Sequence, residues 1–103
     1  MRKVIGGVVY DMEKAELLHD DSNGYSKNDF RWCFEELYRT KKGRYFLAGE
    51  GGPMTKYAQA YGDMSGSGMG IIPMTQAEAL AWLENHDGEA VILEHFADQV
   101  EEA

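Results

Sequence analysis

Gly49-Glu50-Gly51-Gly52-Pro53-Met54-Thr55-Lys56 is the segment closest in type to a chemical motif, a glycine loop closing on a lysine as if to cradle a phosphate. Its spacing departs from that of a nucleotide-binding loop, and Glu50 would repel a phosphate. A turn that needs glycine's backbone freedom is the simpler account. Gly66-Ser67-Gly68-Met69-Gly70 lacks the third glycine spacing of a dinucleotide fingerprint and precedes a strand-like run rather than a helix. The histidines are His19, His86 and His95, with no H-E-x-x-H pairing. His86 and His95 could approach one another beside Asp87, but solvated or capping roles suit them better than a metal. Cys33 is the only cysteine, which excludes an internal disulfide and a cysteine-rich zinc site. Between Trp32 and Phe34 it reads as a small buried apolar residue, and no spacing ties it to a histidine as a nucleophile. No catalytic, cofactor or metal site emerges. The expectation is a protein that is not an enzyme and that acts by binding another macromolecule.

Charge says which macromolecule. Eighteen acids against ten bases give a net charge of −8. Residues 1–56 carry every Lys and Arg with nine acids, a net of +1, whereas residues 57–103 carry nine acids and no base, a net of −9. An acidic surface repels nucleic acid and anionic membrane and steers toward basic partners, among them proteins that grip nucleic acid. The same charge also serves simply to keep a protein soluble. The aromatic set Tyr25, Phe30, Trp32, Phe34, Tyr38, Tyr45 and Phe46 suggests core packing first and a protein-binding patch second. As a base-stacking platform it would conflict with the charge.

The length fits one domain, residues 1–103. No apolar run approaches a membrane span, and Met1 to Gly7 lacks the apolar stretch of a secretory signal, so a cytoplasmic setting is expected. Lys3 to Tyr10 predicts a strand with Gly6-Gly7 as a tight turn or bulge inside it. Asp11 predicts a cap on a helical stretch from Met12 to Leu18, followed by a polar loop from His19 to Gly24. Glu35–Thr40 and Arg44–Gly49 predict a hairpin around Lys41-Lys42-Gly43. Apolar residues on both faces of this hairpin predict helices on one side, and loops or a partner on the other. A short helix is expected from Thr55 to Tyr61, a mobile loop from Gly62 to Gly70, and a short strand at Ile71-Ile72 ended by Pro73. Thr75-Gln76-Ala77-Glu78 is a capping box, opening a helix with Ala77, Leu80, Ala81 and Leu83 as its apolar stripe. A last helix from Glu89 to Gln99 would face the core with Leu93, Phe96, Ala97 and Val100. These elements give an α+β class: a small antiparallel sheet of three to four strands packed by C-terminal helices.

Four segments carry a family resemblance: Tyr10-Asp11-Met12-Glu13-Lys14-Ala15, Glu36 to Leu47, Gly49 to Tyr57, and Ala77-Glu78-Ala79-Leu80-Ala81-Trp82-Leu83. In this order they resemble a family of small acidic proteins from phages and mobile elements, some of which are anti-CRISPR proteins. The chain departs from that pattern at Gly6-Gly7 and in its alanine-rich penultimate helix. The resemblance implies an inhibitor in the cytoplasm of an infected bacterial host. It would block the nucleic-acid-binding surface of a Cas effector subunit by DNA-mimic-like acidic contacts. Joined to the charge reading, it nominates Glu84, Asp87, Glu89, Glu94 and Asp98 as charged contacts and Tyr57, Tyr61 and Trp82 as anchors. The alternative is a homo-oligomeric structural or adaptor module, a homodimer included, joined through the aromatic sheet face.

Overall fold

The structure is a computed structural model describing residues Met1–Ala103. Its centre is a four-stranded antiparallel sheet in the order β3-β4-β5-β8, with two helices late in the chain, an α+β fold.

The N-terminal run is two strands, β1 (Arg2–Ile5) and β2 (Val8–Asp11), so of the two readings of Gly6-Gly7 the tight turn holds and the bulge within a single strand does not. Gly6 and Gly7 have φ of 58° and 79°, left-handed values at both turn positions. That pair makes a two-residue turn whose twist matches a hairpin, so the chain folds back on itself. Asp11 then accepts a bond from the Glu13 amide at 3.0 Å, as a cap should. The capped element is only one turn, Met12–Lys14. The helix expected to Leu18 and the polar loop expected from His19 are replaced by a strand, β3 (Glu16–Ser22). Pairing with β4 (Cys33–Arg39) decides this, since a bulge after Leu17 lets Leu18 pack into the core.

β4 and β5 (Tyr45–Gly51) form the predicted hairpin, with Gly43 at φ 83° and the Thr40 hydroxyl accepting from the Arg44 amide at 3.0 Å. The stretch expected as a helix and a mobile loop is instead a small hairpin, β6 (Gln59–Tyr61) and β7 (Met64–Gly66), turning at Gly62. Its glycines serve close approach: a Cβ at Gly66 would collide with the Tyr61 ring. β8 (Gly68–Met74) completes the sheet and runs through Pro73, which an edge strand tolerates.

Side chains alternate across this sheet. Leu37, Tyr45 and Leu47 face α1 (Gln76–Asn85) and α2 (Glu89–His95), meeting Ala79, Trp82, Leu83, Ile92 and Phe96. Tyr38, Phe46, Ala48 and Ile71 face the other way, and Tyr10 of the N-terminal hairpin covers them. Phe46 stacks on Tyr38 at 5.2 Å and takes Tyr10 edge-on at 5.5 Å.

The capping box forms both of its bonds, Glu78 amide to Thr75 hydroxyl at 3.1 Å and Thr75 amide to Glu78 carboxylate at 2.8 Å. The buried face of α1 is Ala79, Trp82 and Leu83, while Ala77 and Ala81 are exposed and Leu80 is half-buried. Burying one tryptophan removes more apolar area than burying two alanines, which turns the helix from its predicted stripe. α2 stops at His95 because Phe96, fully buried, leaves helical geometry at φ −127°. A 3-10 turn follows (Ala97–Gln99), and Leu93, expected in the core, is 67% exposed. The molecule is a slab of 48 × 33 × 19 Å with a radius of gyration of 14.8 Å.

Candidate functional site

The most connected polar side chain in the molecule is Glu35. Strand alternation puts it on the helix-facing side of β4, one step from Leu37. Opposite it on β5 stands Gly49, where a Cβ would collide with the ring of Tyr57. The glycine therefore lets Tyr57 lie across the sheet, where its hydroxyl donates to Glu35 Oε2 at 2.6 Å. The Lys56 amine reaches the same oxygen at 2.7 Å. From α1, the Trp82 indole N–H donates to Glu35 Oε1 at 3.1 Å.

Two of the three histidines, His19 and His86, gather on the same side. His86 stacks on Trp82 at 4.3 Å, and its Nδ1–H donates to the Trp82 carbonyl at 2.7 Å. That leaves Nε2 facing Glu35 Oε1 at 3.9 Å, too far for a hydrogen bond. His19 donates from Nε2 to the His86 carbonyl at 2.7 Å, tying β3 to the end of α1. His95 lies apart, 3.8 Å from Glu94. Nowhere do three or more His, Cys, Asp or Glu side chains converge as a metal would require.

Burial pushes the Glu35 carboxyl up, but hydrogen bonds from Lys56, Tyr57 and Trp82 outweigh it, and the group is held below the usual carboxylate range. Tyr57 is driven far above the usual phenol range, first by burial and then by its bond to Glu35. Burial, with the Glu35 charge second, also raises Cys33, a half-buried thiol on β4 that is thereby kept protonated. The cluster is a carboxylate with its donors satisfied, and no buried side-chain polar atom lacks a partner. Such an arrangement clamps sheet to helix.

Two expected anchors belong to this clamp. Tyr57 and Trp82 are only 5% and 6% exposed and point inward. Tyr61 is 59% exposed on β6, its hydroxyl donating to the Ser67 carbonyl at 3.2 Å. Glu84, Asp87, Glu89, Glu94 and Asp98 are all exposed, on the end of α1, the turn to α2, α2 itself and the final 3-10 turn. None pairs with a Lys or Arg, since those bases that do form ion pairs hold Asp29, Glu16 and Glu35. Glu84, Asp87 and Glu89 crowd the α1–α2 corner, whose turn is tight: Asp87 has φ 58°, and the Gly88 amide bonds the Leu83 carbonyl at 2.8 Å.

Bases gather elsewhere. Lys14, Arg39 and Lys41 line a shallow depression of about 650 Å³ beside the β4–β5 turn, together with Glu13 and with Glu16, which pairs with Arg39. The Gly49–Lys56 segment has no phosphate cradle, because its lysine is bound to Glu35. The aromatic set is split between the two sheet faces and exposed loops, with Phe30 at the surface and Tyr45 and Phe46 inside. Sequence reasoning missed Glu35. The signal was present, as Glu35 shares the two-residue alternation that buries Leu37. Comparison of the chain with protein-family models, with curated proteins and with solved structures finds no significant match in any of the three. No helix is long and apolar enough to cross a membrane.

Proposed function

We propose that the protein is a non-enzymatic, inhibitor-type binder that sets its acidic helical corner on a basic, nucleic-acid-binding surface of another protein. The family resemblance supplies the target class, a Cas effector subunit in a bacterial cytoplasm, and makes the action anti-CRISPR-like. One observation carries this reading: Glu84, Asp87, Glu89, Glu94 and Asp98 are exposed and free of Lys or Arg partners, in a half of the chain without a single base. A surface that binds phosphates through Lys and Arg meets the same charge pattern in such a corner. Tyr61 remains as an exposed aromatic anchor.

The test is capture of a Cas effector by the purified protein from host extract, followed by elution in a salt gradient. The variant carrying Glu84→Lys, Asp87→Lys and Glu89→Lys should melt like the parent and lose the effector. A folded triple variant that still captures and inhibits the effector overturns the acidic contact. Exposed apolar pairs favour a second reading, a homo-oligomeric adaptor. Val4 and Val9 face each other on the outer side of the N-terminal hairpin, as do Tyr61 and Met64 on β6–β7. That reading requires a stable, salt-insensitive oligomer by light scattering.

A further inference from the structure

The sheet face that carries Tyr38 and Phe46 is not covered along its whole length. Its rows run straight across the strands: Ser22, Phe34, Glu50 and Met69 form one, and Asp20, Glu36, Ala48 and Ile71 the next. The N-terminal hairpin packs over Tyr38, Phe46, Ala48 and Ile71 and stops short of the first row. What remains is a groove of about 280 Å³. Phe34, Ala48 and Met69 floor it, with Met1 and Met12 as its wall. Two carboxylates, Glu36 and Glu50, open into it.

We infer that this groove receives one lysine or arginine side chain of a protein partner, its alkyl stem on Phe34 and Met69 and its charged head between Glu36 and Glu50. The inference deepens the proposed function and rests on it for the basic nature of the partner, which it gives a seat away from the helical corner.

The charges choose the occupant. Asp20 and Glu36 stand directly opposite on neighbouring strands, a like-charge pairing that costs stability. Neither they nor Glu50 form an ion pair within the molecule. Burial, and then the neighbouring charges of Asp20 and Glu50, push the Glu36 carboxyl up, although a bond from Tyr38 opposes them. A purely apolar occupant would bury those carboxylates unpaired, and an anion would be repelled. A cation with a long apolar stem matches both parts of the lining.

The probe is the blocked peptide acetyl-Leu-Arg-Leu-amide, titrated into isotopically labelled protein and followed by amide chemical shifts. Its counterpart with citrulline for arginine keeps the shape and lacks the charge. Shifts should fall on Phe34, Glu36, Glu50 and Met69, and the citrulline peptide should leave them unmoved. Glu50→Gln should weaken the peptide about tenfold, the loss of one charge-assisted bond. Glu36→Gln should weaken it similarly while raising the urea midpoint of the free protein, because the opposition to Asp20 is relieved. A merely structural glutamate would lower that midpoint. Equal binding of the citrulline peptide, absence of shifts, or shifts confined to Glu84–Glu89 overturns the inference. The triple lysine variant of the helical corner should bind the peptide unchanged. Failure of the effector to bind leaves this titration standing, so the two readings fail separately.

Discussion

A buried acid can be a reagent or a fastener, and what distinguishes them is whether its oxygens are free. Those of Glu35 are taken by a phenol, an ammonium and an indole, drawn from two other parts of the chain. Glu35→Ala would strand Tyr57 and Trp82 without acceptors, at a cost of about 3 kcal/mol measured by urea unfolding. The pH dependence has a defined sign. The folded value of Glu35 lies below its ordinary 4.5, so its stabilisation is full above that pH and drains as pH falls through the folded value. Glu35→Gln should therefore flatten the loss of stability on acidification, and an unchanged slope would remove Glu35 as its source. Glu36, raised rather than lowered, acts in the opposite sense and is relieved as pH falls. Neither role could be read from residue type. Glu35 and Glu36 are adjacent and identical in the sequence, and only the alternation of the strand sends one to the helices and the other to the groove.

At the scale of elements, what was legible was what local chemistry decides. The β4–β5 hairpin follows from Gly43 and its flanking aromatics, and the start of α1 follows from Thr75 and Glu78. What was not legible was decided by neighbours distant in sequence. Residues 16–22 extend because β4 lies beside them, and α2 ends where Phe96 enters the core against Tyr45 at 5.4 Å. Glycines misled once: those at 62 and 66 build a hairpin where a loose loop was expected. The N-terminal hairpin makes a testable element, since Tyr10 is its one buried side chain on that sheet face, with half-buried Ile5 and Val8 beside it. Tyr10→Ala should cost about 3 kcal/mol and expose Tyr38 and Phe46, so that a dye for apolar surface brightens under native conditions. A dark, fully stable variant would mean that the hairpin is an ornament on the sheet.

At the scale of the whole molecule, the charge is divided as well as large. Lys14, Arg39 and Lys41 stand near the β4–β5 turn, whereas the helices of the C-terminal half carry unpaired acids and no Lys or Arg, so partners approaching from different sides meet different charge. Elution of a bound effector by moderate salt, with the fold intact, belongs to this scale, because exposed charges are screened within about 10 Å at ordinary ionic strength. An effector that resists salt would place the weight of the interface on apolar surface such as Tyr61, Met64 or the groove floor.

The slab shape has its own effect on how the molecule travels. A compact chain of this length would have a radius of gyration of roughly 13 Å, against 14.8 Å here. A flat body drags more water than a ball of equal mass, so a single copy should leave a sizing column early, at the volume of a heavier globule. Taken alone, that elution would count one molecule as two. Mass from scattered light should return 11.6 kDa for the same peak if the protein is a monomer.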